Sequence, residues 1–144
     1  MPNLSCLADF PGAYTISTRW EDEDVYGHVN NVKYYSYFDT AVNGFLIRET
    51  GASTRDLPAY GIVAESSCEF LRELRFPLDV TAGLAVERLG NSSIVYRIGL
   101  FQGDDPKPAA LGRFVHVYVS GPERAVTPIP EVIRAAVTPL VTPA

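Results

Sequence analysis

The sequence predicts an α+β fold in which a curved antiparallel sheet wraps around one long central helix. One segment, Asn31 to Glu49, carries apolar residues at helical spacing. Four strand-like segments then follow in succession, separated by short turn-rich breaks. No further long helical pattern alternates with them, as a parallel sheet built from βαβ units would require. A helix with a wide apolar stripe and a run of antiparallel strands bury one another best when the sheet curls round the helix.

In chain order, Pro11-Gly12 closes an irregular start, and Ala13 to Trp20 alternates with Tyr14, Ile16, Thr18 and Trp20 on one face, which reads as a first strand. An acidic loop, Glu21 to Val29, follows. From Asn31 the period changes: Tyr34, Phe38, Ala41 and Phe45 are spaced four, three and four, and Tyr37, Val42 and Leu46 widen the stripe. Asn30 is the N-cap, because its amide oxygen can accept from the free N–H groups of the first turn. The helix ends near Glu49 with Gly51 at C′, about 19 residues and roughly 28 Å at 1.5 Å per residue.

After the turn-rich Ala52 to Gly61, strands are expected at Ile62 to Leu74, Val80 to Leu89, Ser92 to Gln102 and Leu111 to Ser120. Phe76-Pro77, Gly90-Asn91 and Gly103 to Pro106 break them, and Gly90-Asn91 reads as a tight hairpin turn. Such short connections imply that strands consecutive in sequence are antiparallel neighbours. Gly121-Pro122 ends the last long strand, and Pro128, Pro130, Pro139 and Pro143 leave room only for a short helix at Glu131 to Val137.

At 144 residues and 47% hydrophobic, the chain reads as a single domain, 1–144, able to bury a continuous core. A net charge of −5 argues against a general nucleic-acid surface. Cys6 and Cys68 have neither the spacing of a disulfide framework nor that of a zinc site and read as reduced thiols. The only histidines, His28 and His116, are too isolated for a histidine metal site. With no signal-like N-terminus and no apolar run of spanning length, the expectation is a cytoplasmic protein without a membrane partner.

Most of the functional information lies in residues 19 to 38, where the acidic loop passes through Gly27-His28-Val29-Asn30-Asn31 into the aromatic start of the helix. A carboxylate just before a helix N-terminus sets a nucleophile or base beside backbone N–H donors, which is what acyl hydrolysis requires. Glu21, Asp22, Glu23 and Asp24 all occupy the loop, and such an acid run is more often a solvated face. Asp24 is the acid nearest the helix start, with Asp22 as a matched control in the same loop.

Asp24, Gly27, His28, Asn30, Asn31, Tyr34, Phe38 and Asp39 follow in outline the opening of the hot dog fold thioesterases. The chain resembles in particular the branch around 4-hydroxybenzoyl-CoA thioesterase and related bacterial acyl-CoA thioesterases. Cys68-Glu69-Phe70-Leu71-Arg72, followed by Asp79 and a valine-rich strand, is similar to the second and third strands of that family. The resemblance spans nearly the whole chain, but only its first motif is specific. It implies an acyl-CoA thioesterase that releases a free carboxylic acid and coenzyme A, with no metal or organic cofactor, and a homodimer or homotetramer with sites at the subunit boundary.

On that resemblance Asp24 is the nucleophile or general base, and the residues leave both routes open. The Asn31 backbone N–H, alone or with a neighbouring N–H, faces the thioester oxygen. Gly27 is a turn glycine that also lets a thioester approach the backbone. His28 either fixes loop carbonyls or polarises the thioester. Asn30 and Tyr34 are candidates for touching substrate, although Tyr34, Tyr37, Phe38 and Phe45 read first as core. Asp39, on a helix meant for burial, needs a partner. Arg72, Arg75 and Arg88 are candidates for the phosphates of coenzyme A.

Two other readings compete. A hot dog fold acyl-CoA hydratase or dehydratase would pair Asp24 with His28, but the asparagine of the hydratase outline precedes its histidine, whereas here Asn30 and Asn31 follow His28. A non-catalytic acyl-thioester binding protein would keep the groove and lack the acid, and Asp24 is present.

Overall fold

Helix α1 runs Asn31–Thr50, and its caps set both ends. The Asn30 side chain accepts the Val32 N–H at 3.1 Å. Gly51 adopts a left-handed conformation, φ 67°, that L side chains rarely take, and donates its N–H to the Ile47 carbonyl. Tyr34, Tyr37, Phe38, Ala41, Val42, Phe45 and Leu46 are all buried, so the stripe read from the sequence is the core face. The computed structural model describes residues 3–51 and 54–143; Ala52 and Ser53, part of the expected turn segment, lie outside the described residues.

The sheet is antiparallel: β1 Gly12–Ile16, β2 Tyr60–Phe70, β3 Val80–Leu89, β4 Ser93–Gln102, β5 Ala110–Ser120 and the two-residue β6, Ala125–Val126, in the order β1-β3-β4-β5-β2 with β6 beside the end of β5. Sequence neighbours pair as expected through β3, β4 and β5. The expectation fails for β2, which joins β5 at one edge while β1 joins β3 at the other. The segment between β2 and β3 is not a tight turn but crosses the end of the sheet, held by the Leu71 and Arg72 N–H groups donating to the Ala109 carbonyl at 2.8 and 2.9 Å. Those bonds also end β2 at Phe70 rather than Leu74.

The first strand also stops early, at Ile16 rather than Trp20. Trp20–Asp22 coils into a 3-10 turn because the Asp22 carboxylate accepts the Arg19 N–H at 3.0 Å, and Trp20 is left 76% exposed. The short helix α2, Glu131–Val137, closes one end of the core with Ile133 and Val137. On the outer face of the sheet, Leu4 and Phe10 pack on Ala85 and Phe101. The start of the chain, irregular by its sequence, thus carries apolar anchors that its pattern does not signal.

Alternate residues of β5 face α1: Ala110, Gly112, Phe114, His116 and Tyr118 are all buried. Phe38 of α1 lies fully buried over Gly112, where a Cβ would come within 2.4 Å of the ring. His116 is 2% exposed, and burial lowers its pKa from 6.5 to about 4. Between those values the unfolded chain binds a proton at this residue that the folded chain does not. The contribution of His116 is therefore fully present above pH 6.5 and is lost as pH falls, by about 3 kcal/mol once the pH is below 4. Urea unfolding at pH 7 and pH 4.5 should show a steeper loss for the parent chain than for His116→Phe; equal losses would refute this account.

Candidate active site

The acidic loop is tied down by its own carboxylates. Asp22 is the buried one, 4% exposed: Oδ2 accepts the Tyr37 hydroxyl at 2.7 Å as well as the Arg19 N–H, and Oδ1 lies 3.7 Å from Lys33 Nζ. Its backbone carbonyl accepts the Asn30 N–H at 2.8 Å, so Asp22 clamps the loop to the first turn of α1. Burial first, and then the bond to Asp22, raise the Tyr37 pKa, which keeps that phenol a donor. Glu23 accepts the Phe76 N–H at 3.1 Å and bridges Val29 across a small hairpin.

Within that hairpin the Asp24 N–H donates to the His28 carbonyl at 3.0 Å, and the Gly27 N–H donates to the Asp24 carbonyl at 3.1 Å. Gly27 has φ 82°, which favours glycine, and a Cβ there would meet nothing within 4 Å, so the backbone is open to an approaching group. The Asp24 side chain is half-buried. Its Oδ1 accepts the Tyr26 N–H at 2.9 Å, and Oδ2 has no hydrogen-bond partner among the described residues. Asp24 borders a hollow of about 780 Å³ with Trp20, Glu23 and Gly27.

Asn31 borders a different hollow, of about 320 Å³, with Val29, Tyr34, Phe70 and Arg72. As the first helical residue it has no intrahelical acceptor for its N–H, whereas the Val32 and Lys33 N–H groups are taken by the Asn30 side chain and carbonyl. Within one chain, then, the carboxylate and the expected oxyanion donor border different hollows. Asn30 is committed to capping. Tyr34 is committed to structure, donating to the Arg72 carbonyl at 3.3 Å and accepting the Leu74 N–H at 3.2 Å, yet its ring still lines the hollow.

His28 Nε2 lies 3.1 Å from Glu73 Oε1, so its partner is Glu73 and not Asp24. Arg72 pairs with Asp105 at 3.3 Å and Arg75 with Glu73 at 3.3 Å, both near the hollow of Asn31. Arg88 does not join them. It is exposed near the far end of β3, eight residues beyond Val80 and therefore roughly 27 Å from that strand's start. Asp39 is exposed and accepts from the Asn43 side chain at 3.1 Å, because it points away from the apolar stripe.

Asp22, Lys33 and Glu73 were not singled out as working residues by sequence reasoning. The i, i+4 spacing of Lys33 and Tyr37 toward one loop acid was the available signal for Asp22; Glu73 had none, because its position depends on the crossing after β2. Cys68 faces inward on β2, and burial, with a smaller effect from Glu69, raises its thiol pKa to about 11, so it stays protonated and weakly nucleophilic at neutral pH.

A curled antiparallel sheet around one long helix is the hot dog fold. Residues 18–137 match the model of the thioesterase-like superfamily, and the chain belongs to that family. It is similar to the PA5185 protein of Pseudomonas aeruginosa strain PAO1, with 42% identity, a TM-score of 0.91, and coverage of 96% of this chain and 97% of that one. The PA2801 protein of Pseudomonas aeruginosa is 32% identical over 90% of this chain and 99% of its own, with a TM-score of 0.80. A Thermus thermophilus thioesterase complexed with coenzyme A and zinc is 27% identical over 90% of this chain and 98% of its own, with a TM-score of 0.73.

Proposed function

We propose that the chain hydrolyses an acyl-CoA thioester to a carboxylic acid and coenzyme A, with no metal or organic cofactor. Family membership supports thioester chemistry, and a relative complexed with coenzyme A supports that carrier. The observation that carries the reading is Asp24 Oδ2, a carboxylate oxygen with no partner among the described residues, on a pinned loop beside a helix N-terminus. The thioester oxygen would accept from the Asn31 N–H as it becomes negative. Asp24 would attack the carbonyl carbon, expelling the thiolate and leaving a mixed anhydride for water, or would take a proton from the attacking water. The His28–Glu73 pairing leaves Asp24 without the histidine that a hydratase would use.

The site is completed, on this reading, by a second copy. β2 is a sheet edge with unpaired backbone groups and exposed Tyr60, Val63 and Phe70, and Val32, Tyr35 and Ile47 are exposed on α1. No helix among the described residues is long and apolar enough to cross a membrane, and the reading is of a cytoplasmic dimer or tetramer. Sedimentation at micromolar concentration should give at least a dimer mass; a sharp monomer would overturn this part. A panel of benzoyl-type and medium-chain acyl-CoAs should show free thiol release for at least one member. Release from none, or hydration of a 2-enoyl-CoA without release, would overturn the activity.

A further inference from the structure

The loop between β4 and β5 reaches the hollow that Asn31 borders through one ion pair. Asp105 Oδ2 lies 3.3 Å from Arg72 Nε, while Asp105 Oδ1 accepts the Lys107 N–H of its own loop at 2.9 Å. Among the described residues, Arg72 is the one cation bordering that hollow of about 320 Å³. Its backbone is pinned: the N–H donates to the Ala109 carbonyl at 2.9 Å, and the carbonyl accepts the Tyr34 hydroxyl at 3.3 Å. Both side chains of the pair are a little under half exposed, so solvent screens the pairing and it separates at small cost. Glu73, the acid bordering the same hollow, is held differently. It meets His28 at 3.1 Å and Arg75 at 3.3 Å, and so ties the hairpin of Asp24 to the segment after β2.

We propose that Asp105 is a built-in competitor for the phosphate that Arg72 takes from a coenzyme A ligand, and that it sets how strongly charged a ligand must be to bind beside Asn31. The inference rests on coenzyme A being the carrier, as proposed above. A carboxylate arriving from solution gains nothing at Arg72 over the carboxylate already there. A terminal phosphate monoester carries up to two charges at neutral pH and gains more attraction than the exchange costs. Asp105, fixed by its own loop, then stays close enough to repel it. The site thus admits phosphate esters but holds them less tightly than Arg72 alone would. A weaker hold matters because coenzyme A is also a product and must leave before the next turnover. The opposite role, in which Asp105 holds Arg72 ready for the phosphate, predicts the opposite sign when the carboxylate is removed.

Asp105→Asn removes the charge and keeps the oxygen that accepts the Lys107 N–H, so the loop should survive. Asp104→Asn removes an equal charge from the exposed neighbour and is the control. Each chain would be titrated calorimetrically with coenzyme A, and with pantetheine as the same thiol arm without phosphates. Asp105→Asn should bind coenzyme A at least about threefold more tightly than the parent, and Asp104→Asn should gain less. Pantetheine should not distinguish the parent from Asp105→Asn, and in an Arg72→Gln background Asp105→Asn should bring no gain. Weaker binding of coenzyme A by Asp105→Asn would overturn the proposal. So would equal gains at Asp104 and Asp105, an equal gain for pantetheine, or a gain that survives Arg72→Gln. The titrations involve no turnover, so absence of thiol release in the acyl-CoA panel would count against the thioesterase reading and leave them standing. Coenzyme A binding to none of the chains would instead remove the carrier on which the inference rests, and the inference with it.

Discussion

Asp24→Asn should lower kcat by about 10²-fold or more while KM and the unfolding midpoint change little, on the proposed thioesterase reading. The amide keeps the carbonyl oxygen that accepts the Tyr26 N–H, so the turn survives. What is lost is the charged oxygen that attacks or takes a proton. The control cannot be Asp22, which the sequence offered as the matched acid: it is buried and holds Tyr37, Lys33 and the Arg19 N–H, so Asp22→Asn acts on stability as well as charge. Glu21, exposed in the same loop, is the proper comparison. Steady-state kinetics on Asp24→Asn and Glu21→Gln should separate by the full effect; equal or negligible losses would remove the case for Asp24.

That exchange of roles shows where sequence reasoning stopped. α1, with Asn30 and Gly51 as its caps, was legible because caps and the apolar period are local signals. β3 and α2 were legible to the residue for the same reason. The sheet order was not, since nothing in residues 71–79 states that the chain crosses the sheet rather than turning back. Consequently no local pattern marks Glu73 as the partner of His28, and the sequence does not show that β3 separates Arg88 from Arg72 and Arg75. Among four consecutive acids, burial of Asp22 depends on Tyr37 and Lys33 arriving from α1, which composition cannot reveal.

The largest stability effect is expected at Phe38. Phe38→Ala should cost about 3–5 kcal/mol, because a fully buried ring is lost and the rigid sheet beneath it cannot collapse into the space. Gly112→Ala alone should cost about 1–3 kcal/mol, since the new methyl meets that ring. Together the two changes should cost less than their sum, the methyl occupying part of the cavity. Denaturant unfolding of the four chains in the cycle checks this; strict additivity would mean that Phe38 and Gly112 do not constrain one another.

The strand order also has a consequence during synthesis. Helix α1 is complete at Thr50, but β5, whose inner face meets Phe38, ends only at Ser120, and both β1 and β2 pair with strands made after them. While the ribosome adds those residues, the apolar side of the nascent helix has no sheet to lie on. The β3–β4–β5 meander, joined by local turns, can form as soon as it emerges, whereas closing the fold requires the earlier half of the chain to be drawn onto both of its edges. Newly made chains therefore pass through a stage in which the aromatic start of α1 is open to chaperones and to other nascent copies.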